Sequence, residues 1–282
     1  MSMHVALTFD DNFWAPAFAT MRSVCLFTPK REELVFHLCH RTLTPEHKAD
    51  LEAIRDEFPV TLKWYDLDRS EMFQDIAARM PENRRLSNIV YARLMIDRLV
   101  DKDVTRILYL DCDMLVRDDV TWLFALDLED HAIAAVRDTI GAQITNGRDV
   151  NQNRDIFDPG DYYFNAGMIL IDVAKWRASD VLGRIMQRIY YDQDLLNLIF
   201  RRNWLKLPWR WNLIDPKPPH ESLDPAIIHY TGDNKPWGIL STKVPTVAFP
   251  RLYRHTMKNE LFHRFARHRW KRWWLKKLRL AR

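Results

Sequence analysis

The stretch ILYLDCDMLV, residues 107–116, decides the fold. An apolar run enters Asp111-Cys112-Asp113 directly. In extended chain, residues i and i+2 point the same way. Asp111 and Asp113 therefore face one side, where two carboxylates can hold one hard divalent cation. Cys112 faces the other side as a small core residue. An Asp-x-Asp pair alone also serves as a solvated strand cap, so the surroundings must decide. Upstream, HVALTF at residues 4–9 reads as a strand and likewise ends in acids, Asp10-Asp11.

Between these two runs, strands and helices alternate. Residues 34–39 and 60–65 read as strands, and residues 15–26 as a helix. Thr44 is a good N-cap, and Pro45 suits the first helical position. The helix they open runs to about Phe58, with Leu51, Ile54 and Phe58 at helical spacing. Residues 88–100 read as a helix with Ile89, Ala92, Arg93, Ile96 and Leu99 along one side. Beyond the Asp pair, residues 132–136, 168–171 and 226–230 read as strands. Residues 145–161 read as a polar loop, and 179–190 and 194–200 as helices. This alternation predicts an α/β fold with a mostly parallel sheet and helices on both faces. Ligands of such sheets sit at the carboxyl ends of the strands. The two acid pairs lie there, where a cation and an anionic ligand are expected.

Composition narrows the classes. Of 282 residues, 47% are hydrophobic and 28% charged, which excludes a disordered chain. No apolar run approaches the ~18 residues of a spanning helix. The start MSMHVALTFDD lacks the basic region of a secretory signal. No GxGxxG or GxxxxGK[ST] phosphate cradle is present. Cys25, Cys39 and Cys112 form no CxxC, so reduced thiols in the cytoplasm are expected. The net charge is +4, yet residues 261–282 alone hold nine Lys/Arg and no acid, leaving −5 for residues 1–260. With no repeat or low-complexity linker, the organisation expected is one catalytic domain, residues 1–250, and a basic, Trp-rich tail, residues 251–282.

Further residues suit anion and sugar chemistry. His229 ends a short strand, and an imidazole beside two carboxylates favours manganese over magnesium, with magnesium still possible. Lys235 is a natural phosphate cation. Asp192-Gln193-Asp194 opens a helix, where acids cap free N–H groups or grip sugar hydroxyls. Asn165 and Gly167 precede a strand in YYFNAGMILID, and Gly167 relieves a tight turn there.

Taken together, these segments resemble the retaining glycosyltransferases of family 8, which include bacterial lipooligosaccharide galactosyl- and glucosyltransferases and glycogenin. The carrying stretches are LTFDDNF (7–13), YARL (91–94), ILYLDCDMLV (107–116), YFNAGMILIDVAKWR (163–177), DQDLLN (192–197) and HYTGDNKPW (229–237). The resemblance spans residues 3–240 and implies a GT-A-like nucleotide-sugar fold. It implies that Asp111, Asp113 and His229 bind manganese, which bridges the phosphates of a UDP-sugar. Thr8, Asp10, Asn12 and Phe13 match the uracil and ribose segment, with Phe13 where tyrosine is frequent. Arg93, Asn165, Ala166 and Asp192 match donor-sugar contacts. Cys112 falls within the donor motif, and Gln193 matches the residue at the anomeric carbon. Gly232 and Lys235 match diphosphate contacts, and Asp138 falls near an acceptor-side aspartate. The implied donor is UDP-glucose or UDP-galactose, and the implied acceptor a glycan or lipid-linked saccharide of the lipopolysaccharide type. Gln193 or Asp194 acts as a transient nucleophile, or the acceptor attacks from the leaving-group face. An amide is a poor nucleophile, which favours same-face attack.

In the tail, Phe262, Phe265, Ala266, Trp270, Trp273, Trp274 and Leu278 fall on one helical face, with most basic residues elsewhere. A basic amphipathic helix with tryptophans reads as an element for an anionic membrane surface. A helix packed on the catalytic domain and a nucleic-acid patch are the other readings, and no nucleic acid is expected. An enzyme peripheral on the inner face of the cell membrane follows. Two rivals remain: a phosphohydrolase with Asp111 as nucleophile, and a non-catalytic sugar- or membrane-binding protein. In the first, Val116 lies three residues past Asp113 and breaks the expected register. In the second, the polar set from Asp10 to Lys235 has no purpose.

Overall fold

A computed structural model describes residues 2–80, 87–138, 157, 161–185, 191–238 and 246–278. Most of the expected polar loop at 145–161 and the end of the expected helix at 179–190 lie outside the described residues.

The strands are β1 (Met3–Asp10), β2 (Leu34–Arg41), β3 (Thr61–Asp66), β4 (Arg106–Leu110), β5 (Met114–Val116), β6 (Ile133–Arg137), β7 (Phe164–Asp172), β8 (Leu205–Leu207), β9 (Leu213–Ile214) and β10 (Ile227–His229). Seven form one sheet in the order β3-β2-β1-β4-β7-β6-β8. The pairs β1/β2, β2/β3, β1/β4 and β6/β8 are parallel, while β7 runs antiparallel to both β4 and β6. The sheet is mostly parallel, as the alternation predicts.

Both sheet faces are buried, and the strands sort their residues by parity. Val5, Leu7 and Phe9 of β1 join Leu108 and Leu110 of β4 and Met168 and Leu170 of β7 in one core. Ala6, Ile107, Tyr109, Ile169 and Ile171 join the core on the opposite face. The helix Trp14–Phe27 lies in the first core and is buried nearly throughout.

A second sheet, ordered β5-β10-β9, positions the site. β5 and β10 are antiparallel, with His229 opposite Met114. The pairing continues as Tyr230 N donates to the Asp113 carbonyl at 3.0 Å. His229 is thereby delivered beside the Asp pair from about 115 residues away in sequence. The short strands β5, β8 and β9, each of two or three residues, carry too little pattern to read from sequence.

Two helices differ from expectation. Thr44 does cap the Pro45–Glu52 helix, accepting from His47 N at 3.3 Å, but the segment tightens to 3-10 over Ala53–Asp56. Residues 88–100 are mainly 3-10, Asn88–Met95, with one α-turn, Ile96–Leu99. Arg93 Nε donates to the Val90 carbonyl at 3.1 Å, so its side chain folds over the turn three residues before it. This turns Arg93 toward the strand ends.

Beyond residue 249, helices Pro250–Met257 and Asn259–Lys277 follow. Tyr253, Met257, Leu261, Phe262 and Phe265 enter the core that contains Trp14 and Phe18. Trp270, Trp273, Trp274 and Leu278 are exposed.

Candidate active site

The carboxyl ends of β1 and β4 open into a cleft of about 650 Å³. Asp111 leaves β4 with its N–H donating to the Gly167 carbonyl at 2.8 Å. Asp111, Asp113 and His229 form the one three-residue cluster of His, Cys, Asp or Glu with metal-ligand spacing among the described residues. Nε2 of His229 lies 3.2 Å from Asp113 Oδ1 and 3.7 Å from Asp111 Oδ2. Its Nδ1 lies 3.2 Å from Asn212 Oδ1. With Nδ1–H donating to that oxygen, the Nε2 lone pair faces the carboxylates, as a metal ligand requires. Two carboxylates and a neutral imidazole suit manganese or magnesium, so the residues fit a divalent cation.

Charge at the cluster is arranged by neighbours. Burial alone would raise the Asp113 carboxyl, but the His229 ring and the Lys235 ammonium beside it hold it well below the usual carboxylate range. Lys235 Nζ donates to Asp113 Oδ2 at 2.6 Å and to the Tyr230 carbonyl. Arg93 is buried and does more. Its guanidinium donates to Asp111 Oδ1 at 2.9 Å and to the Ala166 carbonyl at 2.7 Å, and pairs with Asp192 Oδ2 at 3.0 Å. It also lies over the Tyr109 ring at 4.7 Å. Burial nevertheless raises the Asp192 carboxyl, with Arg93 opposing the shift.

On the facing wall, the Asp192–Ile199 helix presents Gln193. Its carbonyl oxygen accepts from Ala166 N at 3.0 Å and Asn165 Nδ2 at 3.4 Å. Its amide nitrogen donates to Asp138 Oδ2 at 3.2 Å. Asn165 Nδ2 also donates to Asp138 at 2.8 Å, and Asn212 Nδ2 donates to Asn165 Oδ1 at 3.0 Å. Asp194 is fully buried and accepts from the Tyr163 hydroxyl.

The fold therefore gathers nearly every residue the sequence singles out. Thr8, Asp10, Phe13, Arg93, Asp111, Cys112, Asp113, Asn165, Asp192, Gln193, Asp194, His229, Gly232 and Lys235 line the cleft. Asn12 lies in an adjoining hollow that Phe13, Gly232 and Lys235 share. Ala166 contributes through its backbone, and Asp138 sits behind Asn165 and Gln193. Cys112 is 5% exposed, its thiol donating to the Thr8 carbonyl at 3.5 Å.

Gly167 has a different reason from the expected turn. A Cβ there would lie 2.2 Å from His229 Cε1 and 2.7 Å from Asp111 Oδ2. Only glycine lets β7 pass this close to the cluster. Gly232 does hold a left-handed backbone, with φ of +72°. Sequence reading missed Tyr109, whose hydroxyl donates to Asp111 Oδ1 at 2.8 Å and bonds Thr8 Oγ1 at 2.9 Å. Its i−2 spacing from Asp111 on one strand face was the available signal. Asn212 offered none, since it enters from a segment without a motif.

A model of glycosyl transferase family 8 matches residues 4–240. The chain belongs to glycosyltransferase family 8. This family 8 glycosyltransferase is 26% identical to General stress protein A of Bacillus subtilis, over 95% of the chain and 94% of that protein. It is 26% identical to a lipopolysaccharide 1,2-glucosyltransferase of Escherichia coli, over 84% of this chain and 73% of that one. Among solved structures, the galactosyltransferase LgtC, in complex with donor and acceptor sugar analogues, superposes with a TM-score of 0.72 and 26% identity. The match covers 90% of this chain and 95% of that one, so the α/β sheet is that of the GT-A fold.

Proposed function

We propose that this glycosyltransferase moves glucose or galactose, with retention, from a UDP-sugar to a saccharide acceptor of the lipopolysaccharide or lipooligosaccharide type. The observation that carries the reading is the Asp111, Asp113 and His229 cluster with Lys235 against it, at the strand ends of a cleft. The similarity to a galactosyltransferase and to a lipopolysaccharide glucosyltransferase supports both the sugar class and the acceptor class.

In this reading Asp111, Asp113 and His229 hold manganese, which supplies positive charge against the departing diphosphate. Lys235 adds a second cation at the same phosphates, and the Gly232 backbone approaches them closely. Thr8, Asp10, Asn12 and Phe13 hold the nucleoside. Arg93 locks Asp111 and Asp192, so that Asp192 faces the donor sugar in one orientation. Gln193, Asn165 and Asp138 form one hydrogen-bonded unit along the sugar side. The Gln193 oxygen already accepts two N–H donors, which weakens it further as a nucleophile. This supports acceptor attack on the leaving-group face, with the departing phosphate oxygen taking the acceptor proton.

Residues 1–250 serve as the catalytic domain; of the expected tail, the part through Phe265 packs into that domain's core, and the exposed stretch from Trp270 to Leu278 rests on the anionic inner face of the membrane. Exposed Trp270, Trp273, Trp274 and Leu278 support this, and no described helix is long and apolar enough to cross a membrane. The test is UDP release with manganese from UDP-glucose, UDP-galactose and UDP-N-acetylglucosamine. Release from one of the first two, lost in Asp111→Asn, is the expected result. Hydrolysis of simple phosphomonoesters that Asp111→Asn abolishes would favour the phosphohydrolase instead.

A further inference from the structure

Beside the cleft lies a second hollow of about 620 Å³, walled by the C-terminal helix. Arg269, Arg272, His268 and Trp273 of that helix face Phe13, Trp237 and Lys235 across it. Lys235 pairs with Asp113 and belongs to the donor cleft as well, so Arg269 and Arg272 are the cations the hollow has to itself. Neither has a carboxylate within ion-pair distance among the described residues. By contrast, Arg264 on the same helix is paired with Asp50 and Glu46. Asp233 also lines the hollow, leaving a positive excess.

Arg269 is held in place. One guanidinium nitrogen donates to the Trp237 carbonyl at 3.1 Å, and the group lies 5.9 Å from the Phe265 ring. That carbonyl occupies one of five N–H donors. A fixed guanidinium with unused donors suits a phosphate, which it can grip with two parallel bonds. The remaining wall is aromatic, from Phe13, Trp237, Phe265 and Trp273. Such a surface packs against the carbon skeleton of a sugar or glycerol.

We propose that this hollow is a phosphate site, separate from the donor cleft, which takes a phosphate monoester or diester carried on a polyol. The polyol is a phosphorylated acceptor saccharide or a phospholipid headgroup. Bound there, the phosphate lies beside the nucleoside and diphosphate end of the donor site, with which the hollow shares Phe13, Gly232 and Lys235.

Calorimetric titration of the full chain with glucose 6-phosphate and with glycerol phosphate tests this. Capture on vesicles containing phosphatidylglycerol is measured beside it. The pocket variant is Arg272→Gln, with Arg269→Gln as a second. The control is the double variant Arg267→Gln/Lys271→Gln, which removes more charge from the same helix outside the hollow. The expected result is phosphate binding that weakens about tenfold in either pocket variant and less than twofold in the control. Vesicle capture that glycerol phosphate competes away assigns the site to lipid headgroups. Glucose 6-phosphate binding beside vesicle capture that glycerol phosphate does not compete away assigns it to a phosphorylated saccharide. Equal loss in pocket and control variants, or no binding of either phosphate to the wild type, overturns the proposal. UDP binding is measured on the same samples. If it is kept in Arg272→Gln, the two sites are separate; if it falls together with phosphate binding, they are one site and the proposal fails. Absence of UDP binding in the wild type counts against the donor reading alone, because the phosphate titration stands without it.

Discussion

At the scale of single residues, Gly167 and Arg93 set the geometry of the cation cluster. A methyl group at 167 collides with His229 and with Asp111, and no flexible side-chain end is there to yield except the ligands themselves. Gly167→Ala should lower manganese-dependent UDP release by about 100-fold, since a displacement near 1 Å at a reacting centre costs that much. Circular dichroism should stay native. Arg93 is the cation between Asp111 and Asp192, whose side chain is only 9% exposed. Arg93→Gln leaves buried carboxylates uncompensated and should cost ~3 kcal/mol of stability, read as a lower urea midpoint. Arg93→Lys should recover part of the stability but little activity, because an ammonium cannot reproduce the guanidinium fork.

Elements were legible where they carried their own period. The parity of β1, β4 and β7 separates two cores, and the alternation was written in the apolar runs. β5, β9 and the 3-10 course of residues 88–95 were not, because their form comes from pairing and packing with distant chain. His229 could be named from its motif, but its delivery to Asp113 required the antiparallel pairing of β10 with β5. β1 and β2 also hold an imidazole pair far from the cleft, with His37 buried and His4 half-buried: His4 Nδ1 and His37 Nε2 lie 2.9 Å apart, and His37 Nδ1 lies 2.9 Å from the Tyr65 hydroxyl. Burial, with His4 adding to it, pushes the His37 imidazole down to about 4. An unfolded histidine titrates near 6.5, so between these values only the unfolded chain takes up the proton. Stability is therefore full above about pH 6.5 and falls as pH drops toward 4, by ~3 kcal/mol over the window. Urea midpoints at pH 7.5 and 4.5 check this, and His37→Gln should flatten the dependence.

For the whole molecule, the C-terminal helix divides into a packed half and an open half. Leu261, Phe262 and Phe265 are buried, and Arg264 pairs with Asp50 and Glu46. Further on, the tryptophans are exposed. Ending the chain after residue 269 should leave the melting temperature within a few degrees of wild type and abolish capture on anionic vesicles. Ending it after residue 258 should cost several kcal/mol, since each large apolar side chain returned to water costs about 1.5–3 kcal/mol. Thermal melting of both truncations tests the division. The amphipathic spacing was visible in the sequence. The place where packing stops was not, because Phe265 and Trp270 are alike as large aromatic residues in one helix and the sequence does not show how far the domain reaches along it.

The proposed transfer depends on a UDP site completed by a divalent cation at Asp111, Asp113 and His229. Calorimetric titration of UDP into the wild-type chain, with manganese and with chelator, tests it most directly. Binding with manganese, none resolved with chelator, and none in Asp113→Asn under either condition is the expected result. UDP binding of equal strength without manganese, or undiminished in Asp113→Asn, would contradict it.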